Sequence, residues 1–308
     1  MNENRILKLL KNPQKILLSL SYRGVFNFLS DKVYLKLMYK LNIGKKLDLK
    51  NPKTFNEKIQ WLKLNDRKDI YTTMVDKYEA KKYVADLIGE EYIIPTLGVW
   101  DKFEDIDFDK LPNQFVLKCT HDSGGLVICR DKSSLDIEAA KKKINKCLKR
   151  NYYKVGREWP YKNVRPRIIA ETFIEDEKNL VPEDYKIYCF NGKPKYIVVF
   201  HDRFNDANIL SETVYDLNWN PQGVSFDNHF QPSSIVEPKP RKLEELIKIC
   251  SKICKDFAQV RVDFYIVNNN IYFGEITLST ASGFQPMIPE SLDFKLGEMV
   301  DLNYIEKR

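Results

Sequence analysis

Two stretches of this chain set carboxylates and cations where phosphate chemistry could be done. In Arg261-Val262-Asp263-Phe264-Tyr265, odd-numbered residues share one face of a strand, so Arg261 and Asp263 point together while Val262 and Phe264 point away. On the returning segment Phe273 and Glu275 share a face by the same rule, as do Ile271 and Thr277. With a turn centred at Asn269, Asp263 stands opposite Glu275. Facing carboxylates repel unless a cation or a proton joins them, and hard divalent cations such as Mg2+ favour such oxygen pairs. Arg261 beside them suits a site that also receives an anion, such as a phosphoryl group in transfer. The bland alternative is a solvated polar face with an ordinary Arg–Asp pair.

The second stretch begins at Lys118, which ends an apolar run and is followed by Cys119-Thr120-His121-Asp122-Ser123-Gly124-Gly125 before another apolar run. A strand-loop-strand with Ser123, Gly124 and Gly125 at its tip offers backbone N–H groups that a ligand can approach closely. Lys118 adds a point charge, and together they suit a triphosphate tail. Neither GxxxxGK[ST] nor GxGxxG occurs in the chain.

The elements that must position these residues change period along the chain. Apolar residues at Ile6 to Leu10 and Ile16 to Leu20, interrupted at Asn12-Pro13, predict two short amphipathic helices. Ser30 or Asp31 caps a third, with Lys32, Lys36 and Lys40 as a polar stripe and Val33, Leu37 and Leu41 as an apolar one. Thr54-Phe55-Asn56-Glu57 has the form of a capping box before a helix carrying Ile59, Trp61, Leu62 and Leu64. A helix from Asp76 to Ile88 stops at Gly89, and Tyr92 to Pro95 reads as a strand. Strands follow at 115–118, 126–129, 168–173, 185–190, 196–200, 260–267 and 271–276, with Asn191-Gly192 as the strongest hairpin signal. Helices at 137–148 and 243–257 lie across this sheet. Hairpins with interspersed helices make the fold class α+β rather than a doubly wound parallel sheet.

Composition narrows the function classes. Among 308 residues, 43% hydrophobic and 30% charged describes a globular protein, and no apolar run approaches the roughly 20 residues of a membrane span. Six cysteines without a CxxC pair read as reduced cytosolic thiols, and three histidines without ligand spacing argue against zinc. Residues 1–50 hold nine Lys and two Arg against three acidic residues, a net of +8 where the whole chain has +7. That basic end is either a helical segment with a solvated lysine face or a patch for an anionic membrane surface or polyanionic acceptor.

The order of these parts resembles the ATP-grasp superfamily over roughly residues 70–285. Within it, residues 51–63, the 118–125 loop, 184–194 and Gly274-Glu275-Ile276-Thr277 are similar to the teichuronopeptide-biosynthesis (TupA-like) branch. The resemblance implies an ATP-grasp fold, two α+β subdomains sandwiching ATP. Its division is a basic helical extension at 1–50, an α/β substructure at 51–112, a first subdomain with the glycine loop at 113–174 and a second at 175–308.

By that resemblance Lys77 and Lys118 bind the ATP phosphates, and Ser123, Gly124 and Gly125 form the phosphate flap. Glu171, Thr172, Phe173 and Ile174 form the segment against adenine, and Asp184, with Lys186 near it, takes the ribose side. Asp263, Glu275 and Thr277 become magnesium ligands; the family pattern has Asn where this chain has Thr277. Arg261 and Lys118 act on the phosphoryl group in flight, and Ser279, Ser282 and Gly283 lie in the acceptor loop.

The implied chemistry is amide formation through an acyl phosphate, joining an amino acid or amine to a uronic acid of a cell-surface saccharide. ATP and Mg2+ are the cofactors, and Arg203 is the candidate grip on the substrate carboxylate. Trp159 and Trp219 could stack on sugar, though core packing is the commoner role. The expected place is the cytoplasm, at the inner membrane face if the acceptor is lipid-linked, and no nucleic acid is expected as a partner. Two rivals remain at this level: a glycosyltransferase using the DxD tripeptides at Asp105, Asp107 and Asp109, and an ATP-grasp kinase that stops at phosphoryl transfer.

Overall fold

The computed structural model describes residues 13–175, 184–201 and 211–305. Its helices are α1 Pro13–Tyr22, α2 Asp31–Ile43, α3 Phe55–Asn65, α4 Ile70–Val75, α5 Glu79–Ile88, α6 Ile137–Leu148, α7 Tyr153–Gly156, α8 Leu243–Ile253 and α9 Ser291–Glu298. Strands β1 Thr96–Trp100, β2 Phe115–Cys119, β3 Leu126–Cys129 and β4 Ile168–Thr172 form one antiparallel sheet in the order β1-β4-β2-β3. Strands β5 Asp184–Phe190, β6 Lys193–His201, β7 Ser211–Tyr215, β8 Gln231–Pro232, β9 Gln259–Val267 and β10 Asn270–Thr277 form the other, in the order β10-β9-β5-β6-β7-β8. The class is α+β, as the hairpins and interspersed helices require.

The six-stranded sheet is covered on both faces. Ile187, Val262, Phe264 and Ile271 on one side bury against α5 and α8, where Leu246, Ile249 and Cys250 sit. Tyr188, Phe190 and Val198 on the other bury against Phe55 and Ile59 of α3 and Leu292 and Leu296 of α9. The three thiols of Cys189, Cys250 and Cys254 meet in the first of these cores. In the smaller sheet Phe115, Leu117 and Ile168 pack on Ala140 and Ile144 of α6. No helix among the described residues is long and apolar enough to cross a membrane.

Local signals explain most elements. Thr54 and Glu57 close the capping box of α3, each side chain taking the other's backbone N–H. Asn191 and Gly192, at φ of 49° and 73°, form the left-handed pair that a two-residue hairpin between β5 and β6 demands. Three expectations are corrected. The helix read at 76–88 begins only at Glu79: Asp76 ends α4, and its carboxylate accepts from the N–H of Tyr78 and Glu79 to start α5. Tyr92 to Pro95 is not a strand; Glu90–Tyr92 is a 3-10 turn, and β1 begins only after Pro95, which has no N–H to donate.

The buried face of α2 is Tyr34, Leu35, Met38, Tyr39 and Leu41, and Val33 is exposed, because the two tyrosines turn inward. The Tyr34 hydroxyl donates to the Val155 carbonyl, and the Arg157 guanidinium lies 4.5 Å from its ring. Strand β7 forms where the hydrophobic pattern marked no element. The helix read at Ile6 to Leu10 lies outside the described residues.

Candidate active site

Three adjacent strands bring a row of charges into register. Glu275 of β10 pairs with Asp263 of β9, which pairs in turn with Lys186 of β5. Arg261, on the same face, donates from Nε and Nη2 to the two Asp263 oxygens at 2.7 and 2.8 Å. Its Nη2 also donates to Glu275 Oε1 at 3.2 Å and to the Thr277 hydroxyl at 3.0 Å. Lys186 Nζ bridges Asp263 and Asp184 at 2.6 Å each. Burial by itself would raise the Asp263 pKa, but Arg261 and Lys186 outweigh it and hold the carboxyl below its ordinary value.

The pairing of Asp263 with Glu275 is reached by a route the sequence did not suggest. The turn consists of Asn268 and Asn269, both left-handed at φ of 49° and 61°, so the hairpin is centred between them. Phe273 pairs with Phe264, and the register then slips by one residue at Gly274, after which Glu275 pairs with Asp263. The slip reverses the side-chain alternation. Ile271 and Phe273 point into the core with Phe264, while Glu275 and Thr277 point to Arg261. Phe273 and Glu275 therefore lie on opposite faces, contrary to strict alternation, and so do Ile271 and Thr277.

The glycine loop meets this row through Lys77. Its Nζ donates to the Asp122 carbonyl at 3.0 Å and stands 3.8 Å from Glu275 Oε2. Its backbone N–H donates to the Thr120 carbonyl, which fixes the start of α5 against the loop. Gly124 has φ of 100° and open space where a Cβ would stand, so the tip of the loop, from Ser123 to Gly125, can adopt what few other residues allow. Ser123 N–H donates to the Asp122 carboxylate, which Arg150 also holds at 3.2 Å.

Lys118 lies on β2 and does not reach Glu275; it stands 2.5 Å from Glu171 of β4. Lys81 of α5 pairs with the other Glu171 oxygen at 2.6 Å and donates to the Ile94 carbonyl. Burial pushes Glu171 up, and the two lysines overcome it and bring it down to about 2. Next to Glu171, Thr172 N–H donates to the Pro95 carbonyl, and half-buried Phe173 and Ile174 lead the chain out of this sheet. Arg130 lies over the Phe173 ring at 6.0 Å.

The segment 279–283 is shaped by α3. Ala281, Ser282 and Gly283 are all left-handed, at φ of 47°, 53° and 62°. Gln60 Nε2 donates to the carbonyls of Ser282 and Gly283, and Lys63 Nζ donates to those of Ser282 and Gly156. Ser279 is buried, and its carbonyl accepts from Ser282 N–H. Gly283 leaves no space for a side chain, since a Cβ would stand 2.7 Å from Ile59 Cγ2.

Lys81, Lys63, Gln60 and Glu158 escaped the reading of motifs. Gln60 and Lys63 lie inside the 51–63 stretch, which was the available signal; Lys81 and Glu158 look like ordinary surface charges in the sequence. Arg203 lies outside the described residues. Trp219 is buried and stacks on Tyr215 at 4.0 Å, so it is part of the core. Asp107 caps the N–H of Asp109 and pairs with Lys110, the arrangement of a solvated acidic turn.

The oxygen donors fit a hard cation. A carboxylate of Asp263, one of Glu275 and the hydroxyl of Thr277 all converge on a single positive nitrogen, Arg261 Nη2. Oxygen-only donors of this kind suit Mg2+. Glu275 is its freest member, with the side chain 41% exposed.

A family model described as TupA-like ATPgrasp matches residues 57–301. Comparison with curated proteins finds no match. Among solved structures, D-alanine–D-alanine ligase from Bacillus anthracis is 21% identical, covering 76% of this chain and 68% of that one, with a TM-score of 0.46. The same enzyme complexed with ATP gives 20%, 76%, 64% and 0.42. L-amino acid ligase from Bacillus licheniformis is 12% identical, covering 91% of this chain and 63% of that one, with a TM-score of 0.49. The chain thus spans about two thirds of the length of these ligases, and at such identities the similarity assigns no substrate.

Proposed function

The chain belongs to the TupA-like ATP-grasp family, and from that premise we propose that it is a ligase that joins an amine to an ATP-activated carboxylate, releasing ADP. The observation that carries this reading is Lys77, which touches the glycine loop at Asp122 and stands 3.8 Å from Glu275. It ties a loop suited to phosphates to a carboxylate pair suited to magnesium.

A carboxylate is a poor electrophile, so amide formation needs activation. A substrate carboxylate oxygen attacks the γ-phosphorus, the bond to ADP breaks, and an acyl phosphate forms. An amine nitrogen then attacks the carbonyl carbon, and the carbon–oxygen bond to phosphate breaks. Lys77, Lys118 and Arg261 oppose the negative charge that carboxylate and triphosphate bring together. Lys186 and Arg261 fix the orientation of Asp263. Magnesium held by Asp263, Glu275 and Thr277 would neutralise phosphate oxygens.

For the substrates, the reading is an amino acid or small amine and a uronic acid of a cell-surface polysaccharide. The exposed Lys32, Lys36 and Lys40 of α2 support an acidic or lipid-diphosphate-linked acceptor at the cytoplasmic membrane face. The test is ATP turnover over a panel of uronic acids and amines, with mass detection of the amide. ADP and phosphate release that depends on the amine, with hydroxamate trapped by hydroxylamine, is the expected result. A stable phosphorylated product identifies a kinase instead, and a nucleoside diphosphate released from a sugar donor identifies a glycosyltransferase.

A further inference from the structure

Glu158 has no part in the chemistry above, yet it is 6% exposed and stands against the acceptor segment. Its Oε1 accepts a hydrogen bond from Ser282 Oγ, and no other donor among the described residues bonds to the carboxylate. A carboxylate has about four acceptor positions, and burying one so poorly supplied with donors is costly. Gly156 makes the approach possible, because a Cβ there would lie 2.3 Å from Ser282 Oγ and 3.0 Å from Glu158 Oε1. Lys63 Nζ grips the same place from α3 through the carbonyls of Gly156 and Ser282, at 2.8 and 2.5 Å. Tyr161, three residues beyond Glu158, lines a narrow cleft with Lys77, Gly274 and Glu275. Its ring packs edge-on against Tyr152 at 4.7 Å. Glu158 thus touches the 279–283 segment and opens the short turn, Trp159–Lys162, that brings Tyr161 beside Glu275.

We propose that Glu158 receives the attacking amine and takes its proton, with Ser282 holding the carboxylate in position. The inference rests on the ligase reading. An amine in water is mostly ammonium, which has no lone pair to donate. It gives one proton to Glu158; the freed pair forms the carbon–nitrogen bond; the carbon–oxygen bond to phosphate breaks with its pair on phosphate; and the nitrogen's surplus proton leaves with phosphate. The groups that face Glu158 are Lys63 from α3, Ser282, Glu275 and Arg261 from the strands, and the phenols of Tyr152 and Tyr161. Burial raises the Glu158 pKa, Lys63 and Ser282 work against it, and the net direction is upward, toward neutral pH. A carboxylate moved that way is a better proton acceptor for an amine.

Glu158→Gln keeps the size of the side chain and an oxygen for Ser282. In the full chain with MgATP, glucuronic and galacturonic acids serve as carboxylate probes, and glycine, L-alanine or L-glutamate as amines. Hydroxylamine is the second nucleophile, since it is uncharged at neutral pH and needs no base to free its lone pair. Amine-dependent phosphate release is expected to fall about 100-fold or more and to lose its pH dependence, while release with hydroxylamine stays within about threefold. An unchanged rate with the amines overturns the proposal. Equal loss with both nucleophiles also overturns it, because Glu158 then only shapes the acceptor segment. If the parent protein releases phosphate with neither nucleophile, the ligase reading itself fails and takes this inference with it.

Discussion

Asp263 and Glu275 stand opposite each other because one extra residue, Gly274, sits between Phe273 and Glu275. Without that slip, a hairpin turning at Asn268-Asn269 would send Glu275 to the core side with Phe273, where an unpaired carboxylate is strongly disfavoured. A Cβ at position 274 would lie 3.0 Å from the Asp263 carbonyl oxygen, so a side chain at the bulge would crowd the partner strand's backbone.

The two carboxylates differ as targets for mutation. Glu275 is partly exposed, so Glu275→Gln is expected to cut ATP turnover by about 10²–10³-fold and leave the melting temperature nearly unchanged. Near-normal turnover in this variant would falsify the metal-site assignment. Asp263→Asn takes away the buried counter-charge that Arg261 and Lys186 share, leaving Arg261 with Glu275 and Lys186 with Asp184 alone, so it is expected to lose turnover and also roughly 3–5 kcal/mol of stability. Coupled ADP release and thermal denaturation on both variants check the contrast.

Lys81 and Lys118 jointly hold Glu171 near pKa 2. A carboxyl depressed below its ordinary value of 4.5 contributes stability that is present above 4.5 and lost as pH falls toward 2. Lys81→Met removes one lysine, so its acid-unfolding midpoint should move up and stability at neutral pH should fall by about 1–3 kcal/mol. Circular dichroism followed from pH 7 to 2 reads both; an unmoved midpoint contradicts the role given to Lys81.

Glu212 of β7 reverses the sign. It is buried, with Oε1 accepting from Ser225 Oγ and Phe226 N–H, and burial pushes its pKa up to about 7. A raised carboxyl contributes stability that is complete below 4.5 and lost as pH rises through 7. Glu212→Gln keeps the accepting oxygen and removes the charge. The variant should match the parent near pH 5 and exceed it at pH 8 by about 2–3 kcal/mol, as read by urea unfolding at the two pH values. Equal stability at pH 8 would show that Glu212 is not held protonated.

Gly297 of α9 sits against the backbone that begins α3. A Cβ there would meet the Lys53 carbonyl oxygen at 2.1 Å and Phe55 N at 2.8 Å, and backbone cannot swing aside as a side chain can. Gly297→Ala is expected to cost about 2–3 kcal/mol or more, with a melting temperature lower by roughly 5–10 °C. A variant that melts with the parent would mean that α9 is not clamped there.

Much of the site was legible because strand alternation and turn chemistry are local. The facing of Asp263 and Glu275 was readable, but a turn centred half a residue late and an unseen bulge cancelled each other; a bulge leaves little mark beyond a glycine. The capping box at Thr54 and the Asn191-Gly192 turn were readable since each is complete within a few residues. Lys81 on Glu171 and Glu158 on Ser282 join residues 90 and 124 positions apart, and in the sequence each is one charge among many. The inward tyrosines of α2 were hidden for a related reason, as their hydroxyls find partners only in the assembled fold.

Helix α3 reaches two ways: Gln60 and Lys63 hold carbonyls of the 279–283 segment, while Asn56 and Lys58 bond to Asp293 and Val300 around α9. Anyone exchanging parts between relatives would therefore have to move residues 51–65, 156–158 and 278–300 as one cassette. A transplant of residues 279–283 alone would arrive without the floor that gives them their shape.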